Sequence, residues 1–453
     1  MKITTELLLA LGMVLTVAGC GSDSKDDSQE AVAYVQYYNG SPDSTSTYLS
    51  LEDKDYSALN FGQAMQRYSV STGSNSLKVI GKNAENSEVE FHAQDINLAA
   101  GDNHLFILAG DYEQTDFIDI QFTTTALNEK NDNDDKTSYM QVIGAHISKD
   151  SDDIGIYIGK KDDGFSGARY LGQIAYKDST EPEILETGKY VVYLARAGSN
   201  EPFFTTAELS LNTKTVYKLV IRPAFGAATA GVKLDVLSGS KEVTSAPDID
   251  EQVQFRVYNG VQQFDVLKAQ IKGKSGDDHE LQVGKWTISN FTPTRFGDYD
   301  VAVSDVASGE MLLNNLLVTY NQSDSKSILL YPDAEQQLRG TVISHNLTPR
   351  SYQYEVQLMN LAPGTTGLEV YFVRNDETVE TADYKVTKWD FTENLKITLP
   401  RDSYTVTVVK RKDNDTLTLL HRQALQLRDN LDFTLVLTPD DTQTWGYRLQ
   451  AFQ

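Results

Sequence analysis

Cysteine is nearly absent from this 453-residue sequence, which has one, Cys20. A single thiol excludes an internal disulfide framework and any site built on several thiolates of one chain. Positive charge is also short, with 40 Lys+Arg against 64 Asp+Glu and a formal net charge of −24. Such a chain repels phosphate backbones, so nucleic acid is not an expected partner. Only Leu7–Val17 resembles a long apolar run, and it is about half the length a bilayer-crossing helix needs. The six histidines are scattered without HxH or HExxH spacing, and no GxSxG elbow occurs. No cofactor, metal site or catalytic residue is therefore nominated, and the chain is expected not to be an enzyme. An envelope hydrolase assembled from distant Ser, His and acidic residues stays open as a third reading, because triads are geometric.

What is present begins at residue 1. Met1-Lys2, the apolar run and the closing Val17-Ala18-Gly19-Cys20 resemble a bacterial lipoprotein signal, with Val17 where Leu is usual. The resemblance implies cleavage before Cys20 and lipidation of its thiol, making membrane lipid the first partner. It places the protein in the bacterial cell envelope, at the outer membrane. Residues 1–19 are then the signal peptide, and the polar residues 20–31 a flexible tether.

Beyond the tether, long helical periodicity is missing and short alternating runs recur between Gly, Asn, Asp and Ser clusters. Tyr299-Asp300-Val301-Ala302-Val303 and Tyr404-Thr405-Val406-Thr407-Val408 are examples, with one face apolar and one polar. The runs return four times in order. Val35–Gly40, Met140–Gly144, Phe255–Gly260 and Val356–Asn360 open each unit. A bulky-Gly turn follows at Gly62, Gly172, Gly284 and, degraded, Thr387. A repeat of about a hundred residues is too long for a solenoid and matches a self-contained sandwich. The expected fold is all-β: four tandem immunoglobulin-like β-sandwiches at 32–127, 138–237, 253–332 and 352–453, strung like beads. Polar stretches at 128–138 and 238–252 read as linkers. The connector 333–351, which holds Leu338, Val342, Ile343 and Leu347, reads as a strand or short helix stiffening the last two units.

The opening Val35–Asp43, with its Ser41-Pro42-Asp43 turn, and the Thr187-Gly188-Lys189-Tyr190 hairpin resemble the repeats of a bacterial surface-lipoprotein family (domain of unknown function 4397). The Ser-Pro-Asp element is reduced to Ala362-Pro363-Gly364 in the fourth unit and lost in the second and third. The resemblance implies immunoglobulin-like sandwiches at the cell surface and carries no catalytic residues.

Two tryptophans occupy what reads as one slot of units three and four, Trp286 and Trp389, and are the candidate ligand-binding residues. An exposed indole there would stack on sugar rings, the basis of a polysaccharide-binding alternative. Against it stands the reading of a core or rim side chain. Asn131–Asp135 offers hard oxygen ligands for calcium but lacks the Gly and Glu of an EF-hand loop. The leading expectation is a non-enzymatic, lipid-anchored scaffold that binds or braces an unidentified envelope protein or polysaccharide.

Overall fold

The computed structural model describes residues 31–274, 276–427 and 431–453. Cys20 and the signal segment lie outside them. The chain is all-β, as its alternating runs require, and forms eight sheets that pack as four sandwiches. One element recurs in each. The opening strand runs parallel to one near the end of its unit: Val32–Asn39 with Asn103–Asp111, Tyr139–His146 with Val216–Pro223, Val253–Asn259 with Ser325–Pro332, and Gln353–Asn360 with Phe433–Pro439. These parallel pairs form the middle of each unit's inner sheet, and antiparallel strands complete the rest. The C-terminal Tyr447–Phe452 adds antiparallel to Phe433–Pro439 as an edge strand.

The inner strands are buried on both faces. Asn103–Asp111 is buried at eight of nine positions and Tyr139–His146 at seven of eight, a pattern that requires an apolar layer on each side. The second layer is the neighbouring unit. Tyr38, Leu105, Ile107, Ile118 and Ile120 of unit 1 share one apolar cluster with Ile143, Ala145, Val216, Val220 and Leu237 of unit 2. Tyr258, Leu329, Tyr331 and Ile343 of unit 3 do the same with Met359, Leu361, Val436 and Phe452 of unit 4. The expected string of beads is thus replaced by two back-to-back pairs, each four sheets deep. Alternation within one strand reports the sandwich core; only residues distant in sequence reveal the second buried face.

The polar stretches are structured too. Thr125–Asn133 is a helix whose Leu127 plugs the seam between units 1 and 2. Val243–Ala246 pairs with Val232–Leu237, so unit 2 runs past residue 237. Leu338–Ser344 pairs with Ser325–Pro332 as the last strand of unit 3, so the expected connector belongs mostly to that sandwich. Polar composition hid the first two because edge strands and surface helices need few apolar residues.

The repeat register also differs. The opening strands end at Asn39, His146, Asn259 and Asn360, whose carbonyls accept N–H bonds from Gly62, Lys177, Trp286 and Thr392. All four donors have positive φ, between 61° and 78°. Only unit 1 uses glycine for this left-handed turn, so aligning glycines misplaced it elsewhere. Trp286 therefore corresponds to Thr392, and not to Trp389.

Candidate functional site

The chemistry-bearing side chains gather at the junctions between sandwiches. The seam of units 1 and 2 holds two buried polar groups of opposite design. Tyr38 donates its hydroxyl to Asp235 Oδ2 at 2.7 Å, and Arg222 Nε donates to the same oxygen at 2.7 Å. Asp235 is fully buried, so this ion pair needs both donors to offset desolvation. Nearby, Lys218 Nζ donates to Gln36 Oε1 at 2.9 Å and to the Ser238 carbonyl at 3.3 Å. Neither partner is charged. Burial, with Arg67 adding repulsion, pushes the ammonium down to about 7. Gln36 is fixed in turn by donating to the Met65 and Ser238 carbonyls.

The seam of units 3 and 4 repeats the theme with other residues. Arg256 lies against the rings of Phe291 and Phe452, 4.3 and 4.8 Å from their centroids, and donates to Ser327 Oγ at 2.9 Å. Ser327 Oγ also shares a 2.6 Å hydrogen bond with His345 Nε2. A serine and histidine at this distance invite comparison with a hydrolytic pair. However, Ser327 is fully buried and already engaged by Arg256. Burial, with Arg256 and Lys396 nearby, holds the His345 imidazole down to about 3, too weak a base for that work near neutral pH. The pair braces a seam.

The two pairs meet at a cleft of about 520 Å³ lined by units 1, 2 and 4. Asp43, of the Ser-Pro-Asp turn, accepts the Tyr112 N–H at 2.8 Å and the Ser351 hydroxyl, while the Ser351 N–H reaches the Asp43 carbonyl at 3.2 Å. Arg401 pairs with Glu113 at 3.5 Å and Lys149 with Asp111 at 3.0 Å. The Tyr112 and Tyr352 rings meet edge to face at 5.8 Å. Between units 2 and 3, Lys233 donates to Ser323 and Ser323 to the buried Glu251. Sequence reading noticed Asp43 as part of a turn. Its partner Ser351 lies 308 positions away, and no periodicity links such residues.

The candidate tryptophans separate. Trp389 is fully buried in the unit 4 core, its Nε1 donating to the Glu393 carbonyl at 3.3 Å, so it offers no face to a ligand. Trp286 is half-buried at its left-handed turn, with the Arg448 guanidinium of unit 4 at 5.4 Å from its ring. The structure does not bring the two together. In the acidic stretch 131–135, the oxygens of Asn131 and Asp134 serve the chain itself. Asn131 bonds both ways with the Tyr139 backbone, and Asp134 accepts from the N–H groups of Lys136 and Thr137 and the Tyr139 hydroxyl. Among the described residues no group of three or more His, Cys, Asp or Glu is arranged to hold a metal, and no helix is long and apolar enough to cross a membrane.

No family model matches the chain, and no curated protein matches it. Solved structures offer distant likenesses. The Bacillus anthracis TIE protein is 8% identical over 87% of this chain and 68% of its own, with a TM-score of 0.18. BcpA, the major pilin subunit of Bacillus cereus, is 11% identical over 67% and 98%, with a TM-score of 0.14. The FN1–FN3 domains of chicken CNTN1 are 9% identical over 61% and 89%, with a TM-score of 0.12.

Proposed function

We propose that this protein is a non-enzymatic cell-surface scaffold, anchored by an acyl chain on Cys20 and built to hold or brace an envelope or extracellular partner. The observation that carries the reading is how the junction groups are used. Lys149, Arg401, Asp43 and Ser351 surround the cleft where three units meet, and each is bonded across a unit boundary. Polar chemistry that could serve a substrate serves rigidity instead. The lipobox-like Val17-Ala18-Gly19-Cys20 supports anchoring, and a tether of about ten polar residues would keep an acidic body clear of anionic lipid.

Fractionation of cells expressing Cys20→Ala tests the anchor. The variant is expected to leave the membrane fraction that retains the parent chain, and retention would refute lipid anchoring. Crosslinking in cells followed by mass spectrometry tests the bracing role. One protein enriched over an unrelated lipoprotein control supports it; enrichment of none removes a protein partner.

A further inference from the structure

The outer sheet of unit 4 carries a groove of about 660 Å³, lined by that unit alone. Its floor is the solvent side of Leu368–Val373 and Ser403–Arg411. Phe372, Val406 and Val408 belong to the sandwich core, so Val373, Thr405 and Thr407 fall on the opposite face. Register sets Thr405 beside Val373, and Thr407 beside Arg422 of the strand Leu417–Gln426. One bank is the segment 374–383, which leads from Leu368–Val373 to Tyr384–Trp389. The Arg374 N–H donates to Glu377 Oε2 at 2.9 Å, Arg374 Nη2 to Asp383 Oδ2 at 3.0 Å, and the Thr378 N–H to Thr381 Oγ1 at 2.8 Å. The bank is thus braced on itself, and a preorganised wall lowers the cost of binding.

Its polar groups differ from those of the three-unit cleft in being uncommitted. Asn375, Glu380, Thr405, Thr407 and Arg422 line the groove, and none of these side chains has a hydrogen-bond or ion-pair partner among the described residues. Thr407 is 1% exposed and its hydroxyl is unpaired, an arrangement that costs stability. Val373, Val379 and Leu417 add apolar patches. The volume falls within the about 300–1,000 Å³ of small-molecule sites.

The chemistry of this set selects its occupant. One carboxamide, two hydroxyls, one carboxylate and one guanidinium together offer donors and acceptors that complement vicinal hydroxyls, and the apolar patches suit the C–H faces of a sugar ring. Anions are disfavoured, because Glu377 and Glu380 both line the groove and Arg374 is already paired with Glu377 and Asp383. A peptide that adds by main-chain bonds needs a sheet edge, whereas the floor here is the face of strands already paired. We propose that the groove binds a segment of neutral oligosaccharide, held by Asn375, Glu380, Arg422 and the two threonine hydroxyls. This rests on the scaffold function proposed above and names the chemistry of the partner held.

A printed array of neutral and anionic oligosaccharides, probed with the labelled full chain in mild detergent, tests it. Binding to a neutral glycan is expected, and raised salt should leave it unchanged because no ligand charge is screened. Titration calorimetry with that oligosaccharide then separates the residues. Arg422→Ala is expected to weaken binding about ten-fold and Asn375→Ala about three-fold, both at the parent melting temperature since both side chains are exposed. Thr407→Val is expected to weaken binding yet melt no lower than the parent, a combination that a purely structural threonine would not give. Tyr170→Ala, at an exposed ring of unit 2, is expected to bind as the parent does. An array silent on every neutral glycan, or binding confined to anionic ones, overturns the proposal. So does binding that Arg422→Ala and Asn375→Ala leave intact or that Tyr170→Ala removes. The array contains no membrane, so its silence would leave the Cys20 anchor standing, and a Cys20→Ala chain retained in membranes would leave the groove standing.

Discussion

Lys218 carries its ammonium into a seam where only a carboxamide oxygen and a peptide carbonyl receive it. Its folded-state value of about 7 lies below the ordinary 10.5. Between these values the unfolded chain holds the proton that the folded chain has released, so stability rises with pH. Below about 7 both states are charged and the full cost of burial is present; above about 10 it is gone. Denaturant titration of the parent and Lys218→Met is therefore expected to show a parent that gains about 1–3 kcal/mol relative to the variant between about pH 7 and about pH 9. Equal slopes in that window would remove the buried charge from the account. The Asp235 carboxylate in the same seam is held by charge and hydrogen bonding, its Oδ2 accepting from both Tyr38 and Arg222. Asp235→Ala should cost about 3–5 kcal/mol, because it strands a buried guanidinium.

At the scale of single elements, the end of each opening strand is the most repeated device in the molecule. Asn39, Asn259 and Asn360 are fully buried, and each side-chain oxygen accepts the N–H two residues on, at 3.1 Å. Their amides donate to the carbonyls of Leu59, Val283 and Trp389. In unit 2, His146 does the same work, Nδ1 accepting from the Ser148 N–H and Nε2 donating to the Asp152 carbonyl. Asn360→Ala is expected to destabilise by about 1–3 kcal/mol through the buried groups it leaves unpaired. His146→Asn is expected to melt much closer to the parent, and thermal unfolding of both variants checks the contrast. The sequence made the strands and the fourfold order readable, because alternation and turn residues are local signals. The opening runs, read as ending at Gly40, Gly144, Gly260 and Asn360, fall within two residues of the observed strand ends. His146 was not readable as the equivalent of the three asparagines, since its role depends on shape and donor placement. The left-handed turns at Lys177, Trp286 and Thr392 were hidden for a similar reason: glycine marks such turns only when glycine is used. The junction residues Asp43, Ser351 and Arg401 were illegible as a group, because their proximity follows from how whole sandwiches stack.

The whole molecule joins two apolar-bonded pairs through a small polar clasp. Arg401 and Glu113 are both well exposed, and exposed pairs of this kind contribute about 0–1 kcal/mol. The clasp therefore fixes orientation more than it adds stability. Arg401→Glu places two acids together, and small-angle scattering of the full chain is expected to show a larger radius of gyration than the parent. Lys285→Glu, a charge reversal at the Asp265 pair on unit 3, should leave the curve unchanged. If Arg401→Glu scatters as the parent does, the remaining contacts hold the halves together without it. The strands buried on both faces bear on biogenesis. A chain delivered N-terminus first presents Tyr38, Leu105 and Ile107 well before Val216, Val220 and Leu237 arrive to cover them. The first sandwich thus completes its own core while one sheet stays bare, and it is most open to aggregation during that interval. Units 3 and 4 pass through the same interval later, when Tyr258 and Leu329 wait for Val436 and Phe452. The smallest piece that can finish folding in water is a pair of sandwiches, so roughly two hundred residues must be sheltered at a time.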